Sequence, residues 1–408
     1  MRMIGRYTED ALLKRAKEVV EEKGKGSEVF DEEAEKDIPR FKKTELQLGR
    51  VLGRGGFCTV SEITALNLEP NSPLDLATKN MQEADEEEDE FGELRYDSHG
   101  LIQDRKFLAR RCLRKGKHAR YAIKKLSDEC LNDPERFVGG IIDLATECRF
   151  LSVVRHTNII KMRAFADGNS FESGFFVVLD RLYDTLTLKI TKWRKATDKY
   201  SGPGKLLDMK GKKKKKVWID RLICVYDLST ALEYLHSHKI IYRDLKPDNV
   251  GFDVRGDIKI FDFGLAREFP KGGKKFADDT YQMSGKTGSL RYMAPEVAKE
   301  KPYNETVDVY SLAMMAWQIF AMQVPFSGYS IAMHNEVVVE KGGRPKIETK
   351  WGTKVGSWMS KAWSPKISER PDMRASSKVF RDELSSLQDE IEDYSQIDAS
   401  SRTARSAS

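Results

Sequence analysis

Asp244, Lys246 and Asn249 place an acid, a cation and a carboxamide within six positions, in Ile240-Ile241-Tyr242-Arg243-Asp244-Leu245-Lys246-Pro247-Asp248-Asn249. The apolar run before them and the proline among them read as a rigid loop leaving a core element. Such a loop can aim three polar side chains one way. Phosphoryl transfer needs those parts: a carboxylate to accept a hydroxyl proton, a cation on the transferred phosphate, and an oxygen ligand for magnesium. Eighteen residues on (262 − 244), Asp262-Phe263-Gly264 offers a second carboxylate. A charged loop alone is more often a solvated turn.

The elements that must position these groups belong to a chain of 408 residues, 40% hydrophobic and 33% charged, ample for a sizeable core. The charged excess sits in runs, which reads as insertions and tails on a globular body. A net charge of +6 implies no global attraction to nucleic acid. Five cysteines, irregularly spaced and without C-x-x-C, indicate neither a disulfide framework nor a zinc site. A reducing, cytoplasmic setting follows, with nuclear import through the lysine run 212–216 as an open alternative. The most apolar window, Ser311 to Phe326, is too short to span a bilayer and reads as a buried helix.

Thr8 to Lys23 has Leu12, Ala16, Val19 and Val20 at helical spacing behind a Thr N-cap, a solvated appendage by default. Gly24 to Asp37 reads as a linker. Between apolar Leu46–Leu52 and alternating Val60–Thr64 lies Gly53-Arg54-Gly55-Gly56-Phe57-Cys58, a strand, glycine turn and strand. Residues 65–120 carry an acidic run (83–93) and a basic one (105–120), so a mostly disordered insertion is expected. Tyr121-Ala122-Ile123-Lys124 returns to a strand, and a helical stretch follows with Asp143 and Glu147 as competing partners for Lys124. Phe175 to Leu179 is an apolar strand running into Asp180-Arg181-Leu182-Tyr183. Lys199 to Lys216 reads as a second exposed insertion, and Met373 to Ile391 as a last helix.

These segments resemble, in order from about Leu46 to Leu387, the signatures of eukaryotic protein kinases. The catalytic loop is H-R-D-L-x-x-x-N with Tyr242 for His; the glycine loop has Cys58 for its third glycine; V-A-I-K, D-F-G and Ala294-Pro295-Glu296 follow. Gly251 stands where kinases usually place a larger aliphatic residue. The resemblance implies a bilobal α+β fold, with a small antiparallel β-sheet N-lobe bearing one main helix and a larger, mostly helical C-lobe. Its boundaries are an N-terminal extension (1–43), the N-lobe (44–182, with the 65–120 insertion), the C-lobe (183–390, with a Lys-rich insertion at 195–217) and a tail (391–408).

Lys246 and Gly288-Ser289 are similar to Ser/Thr rather than Tyr kinases. The implied activity is ATP- and Mg²⁺-dependent phosphorylation of protein Ser/Thr hydroxyls. By resemblance Asp244 is the base and Lys246 the γ-phosphoryl cation. Lys124, held by Glu147, grips the α/β-phosphates, and Asn249 and Asp262 hold magnesium. Gly53, Gly55, Gly56, Phe57, Val60, Ala122, Leu179, Asp180 and Leu182 surround the nucleotide. An upstream kinase acting on Thr280, Ser284 or Thr287 would order the segment through Arg243. Cys58, Tyr242 and Gly251 are the grounds for the rival reading, a nucleotide-binding pseudokinase scaffold. A nucleic-acid-binding role lacks interleaved aromatics and a fold signature.

Overall fold

The computed structural model describes residues 2–25, 27, 29–30, 35–36, 38–68, 105–114, 118–201, 208, 211–269 and 275–387. The chain forms two compact units: Met1–Tyr183 with Phe252–Asp257 and Phe261–Lys271, and Asp184–Gly251 with Ile258–Ile260 and Gly272–Ser408. The first is sheet-rich and the second helical, the α+β division implied above.

The first unit holds strands β1 (Arg40–Phe41), β2 (Leu46–Arg54), β3 (Cys58–Leu66), β4 (Tyr121–Leu126), β5 (Met162–Ala166) and β6 (Phe176–Asp180), in the order β1-β5-β6-β4-β3-β2. Neighbours are antiparallel except β1, which runs parallel to β5, so the sheet is mixed rather than purely antiparallel. Its helices are α1 (Glu9–Gly24), α2 (Arg105–Arg110) and α3 (Pro134–Val153). α3 begins where the Asp133 side chain accepts the Arg136 N–H at 2.8 Å and Pro134 occupies the first turn. Phe137, Ile141, Leu144, Cys148, Phe150 and Leu151 are buried along it.

α1 starts on Thr8, whose Oγ1 accepts the Ala11 N–H at 3.3 Å, with Glu9 and Asp10 at the positive end of its dipole. It is no solvated appendage: Leu12, Ala16 and Val20 are buried and the helix packs on α3. Past it, the Phe30 ring lies 5.0 Å from that of Phe150, under the Arg149 guanidinium.

The insertion also departs from expectation. Its acidic run, 83–93, lies outside the described residues, but Arg105–Arg114 are folded, with Phe107, Leu108 and Cys112 buried. Arg105 forms a buried ion pair with Glu45 and stacks over Phe41. Apolar residues inside the basic run supply the contact that charge counting misses.

In the second unit α5 (Lys212–Ser237) and α6 (Thr306–Ala321) form the centre, with α4 (Leu186–Lys199), α7 (Thr353–Ala362) and α8 (Met373–Ser385) around them. Lys212–Lys216, read as part of an exposed insertion, open α5; the Asp208 carboxylate accepts the Lys213 and Lys214 backbone N–H groups, each at 3.0 Å. α6 is the apolar window, buried along nearly its whole length. Arg370 makes two bonds to Glu296, at 2.6 and 2.9 Å. Among the described residues no helix is long and apolar enough to cross a membrane. The tail 391–408 lies outside the described residues.

Candidate active site

In the first unit the register of the sheet selects the face. Val60 opposes Lys124, and Leu179 opposes Ala122. Opposed residues share a face of a sheet, as do alternate ones along a strand, so Val60, Ala122, Lys124 and Leu179 line one side. Gly53 opposes Val60. Lys124 Nζ lies 2.5 Å from Glu147 Oε2 and 2.9 Å from Asp262 Oδ1. Asp143, one turn earlier on α3, sits against Gly264, where a Cβ would lie 1.7 Å from Asp143 Oδ1. Only glycine fits after Phe263.

Burial works against the Lys124 charge, but Glu147 and Asp262 outweigh it and hold the ammonium well above its usual range. Burial pushes the Glu147 carboxyl up, with Lys124 opposing. Cys58 is buried and its thiol is pushed up to about 12 by that burial, which makes it an inert occupant of the third glycine position. The Asp180 carboxylate is taken by Arg163 at 2.7 and 2.9 Å. The Asp180, Arg181 and Tyr183 N–H groups donate to the carbonyls of Lys161, Arg120 and Phe252; Leu182 stands between these tied positions.

In the second unit the loop is held from behind. Asp308, wholly buried, accepts the Tyr242 and Arg243 N–H groups at 2.8 Å each, and His236 Nε2 lies 2.9 Å away. These bonds fix Arg243 in the left-handed region, at φ 69°. Tyr242 is buried in the core, a packing residue. Asp244 Oδ2 meets Lys246 Nζ at 2.6 Å and the Asn249 amide at 2.8 Å; its Oδ1 accepts the Ser289 N–H at 3.1 Å. With Nδ2 turned to Asp244, Asn249 keeps its oxygen as an acceptor. Arg243 Nη1 donates to Ser284 Oγ at 2.8 Å and to the Tyr303 hydroxyl at 3.0 Å.

Among the described residues no cluster of three or more His, Cys, Asp or Glu could cage a metal ion. Asp262 in the first unit offers a carboxylate and Asn249 in the second an amide oxygen; each by itself is a hard oxygen donor of the kind magnesium takes.

A family profile for the protein kinase domain matches residues 108–381, two thirds of the chain. The chain belongs to the protein kinase family. It is 35% identical over 170 residues to the serine/threonine-protein kinase STY17 of Arabidopsis thaliana, covering 41% of this chain and 28% of that protein. To the serine/threonine/tyrosine-protein kinase HT1 of the same plant it is 34% identical over 146 residues, 36% and 35% of the two chains. To cAMP-dependent protein kinase type 3 of Saccharomyces cerevisiae it is 45% identical over 100 residues, 24% and 23%. The chain thus spans about a third or less of the length of each relative. The glycine turn of this kinase-family chain precedes the matched stretch, and the sheet register is what ties it to Lys124.

Sequence reasoning missed three contacts. Ser289 donates to Asp244, Arg163 clasps Asp180, and His236 shares Asp308 with the loop backbone. The partners lie 17, 45 and 72 residues apart, beyond the reach of a local pattern. The glycine before Ser289 was the one visible clue.

Proposed function

We propose that the chain is an ATP-dependent protein serine/threonine kinase, transferring the γ-phosphoryl group of ATP to Ser or Thr hydroxyls of proteins. The observation carrying this reading is Lys124, whose ammonium is gripped by both Glu147 and Asp262. In this reading Lys124 takes the α/β-phosphates, and the Gly53-to-Gly56 backbone covers the phosphates, although the Gly55 N–H itself donates to the Cys58 carbonyl at 2.8 Å. Val60, Ala122 and Leu179 flank the adenine, and the Asp180 and Leu182 backbone hydrogen-bonds it. Asp244 accepts the proton of the acceptor hydroxyl as the new O–P bond forms and the bond to ADP breaks. Lys246 neutralises the γ-phosphoryl group, and Asn249 and Asp262 would hold Mg²⁺. When bound, that ion neutralises charge on the β- and γ-oxygens.

An activating kinase would act on Ser284, which is exposed and receives Arg243; Thr280 is buried and bonded to the Ala277 carbonyl. Transfer of labelled phosphate to a generic protein substrate tests the reading. Wild type should label it, Ser284→Ala should label it less, and Asp244→Asn and Lys124→Met should not label it. Equal incorporation in all of them refutes the assignment. ATP binding without transfer by wild type favours the scaffold.

A further inference from the structure

We infer that Gly139 and Gly140 of α3 form a seat for the Phe57 ring, and that this seat fixes the glycine turn and sets the affinity for ATP; the second half rests on the function proposed above. Phe57 stands at the tip of the turn. A Cβ on Gly139 would lie 3.2 and 3.3 Å from its Cζ and Cε1. A Cβ on Gly140 would lie 3.2 Å from Phe57 Cβ and 2.7 Å from Leu126 Cδ2. Two consecutive glycines inside a helix weaken it, so their presence calls for a packing reason. The ring supplies one: the helix surface is pared to backbone where the aromatic edge lies.

Three further ties fasten the same turn. Arg136 Nη2, also on α3, donates to the Gly56 carbonyl at 2.8 Å. The Ser127 N–H donates to the Phe57 carbonyl at 2.9 Å, and Cys130 Sγ lies 3.8 Å from the Gly56 carbonyl. Glu147 is eight residues along α3 (147 − 139), about 12 Å up the same rod. One helix therefore carries both the carboxylate that holds Lys124 and the seat that holds the turn. A shift of α3 that breaks the ion pair also displaces the turn. Gly139, Gly140 and Phe57 act as positioning residues through this linkage.

The test uses the full chain with Gly139→Ala, Gly139→Leu, Phe57→Ala and the Phe57→Ala/Gly139→Leu double variant. Alanine and leucine are better helix formers than glycine, which offsets the crowding at the seat, so the two Gly139 variants should melt close to wild type. Filling the seat should speed amide hydrogen exchange at residues 55–58. It should also raise the KM for Mg-ATP by about tenfold in Gly139→Leu, less in Gly139→Ala, with kcat little changed. The double variant should be no worse than either single one, because the partners share one contact. Unchanged exchange in both Gly139→Leu and Phe57→Ala, or additive losses in the double variant, would overturn the inference. Phe57→Ala leaves α3 untouched and so covers a Gly139→Leu chain that melts early. Faster exchange in the variants of a wild type that transfers no phosphate would sink the kinase reading while leaving the seat in place.

Discussion

Gly288 occupies a point where no other residue fits. Its φ is +93°, and a Cβ there would stand 2.5 Å from the Arg243 carbonyl oxygen and 3.3 Å from Asp244 Oδ1. The next residue, Ser289, gives its N–H to that same aspartate. Gly288→Ala should therefore cost about 2 kcal/mol in stability through the left-handed backbone alone. It should also pull the Ser289 donor away, lowering kcat more than it alters the KM for ATP; denaturant melts and steady-state kinetics measure the two effects. At this scale the loop Ile240–Asn249 was legible because its polar residues lie in one contiguous stretch. Of the competing partners for Lys124, Glu147, the one the resemblance implies, lies at 2.5 Å, and Asp143 sits against Gly264. Tyr242, an apparent defect in the sequence, is buried in the core, and Lys246, Asn249 and Ser289 supply the hydrogen bonds to the Asp244 carboxylate described above.

Among the elements, α1 has the least expected role. Its spacing declared which face was apolar, but period says nothing about which neighbour receives that face. The receiver is α3, the helix that carries Glu147. Ala16 is fully buried on α1, so Ala16→Asp should lower stability by about 3 kcal/mol through an unpaired carboxylate. Because α3 loses a brace, Mg-ATP should stabilise this variant less than wild type, a difference that thermal melts with and without nucleotide would reveal. A melt identical to wild type would mean that α1 does not support α3. One other element was misjudged. Arg105–Arg110 looks like solvated charge, yet it is helical, because Phe107 and Leu108 anchor it, whereas Lys212–Lys216 keep exposed or half-buried side chains on a helix that the Asp208 carboxylate caps. Charge density describes what a side chain tip does, not where its backbone goes.

Taken as a whole the chain has two cores, one built on a six-stranded sheet and one on α5 and α6. The division was legible because strand patterns fill one part of the sequence and helical patterns the other. The parallel edge strand β1 was not, since two residues are too few to show a period. The strand order bears on where a gene may be cut. β4 is sandwiched between β3 and β6, and both β2 and β3 precede residue 108, where the family match begins. A polypeptide spanning only 108–381 would bare one whole side of β4, a row of unpaired amides and carbonyls inviting self-association. It is expected in the pellet of a lysate that keeps 2–387 in the supernatant, and a soluble, nucleotide-responsive short form would contradict the strand order. Primers placed at homology borders would thus amputate half of a hydrogen-bonded ribbon, so cloning should start ahead of the first strand, not at the first recognisable motif.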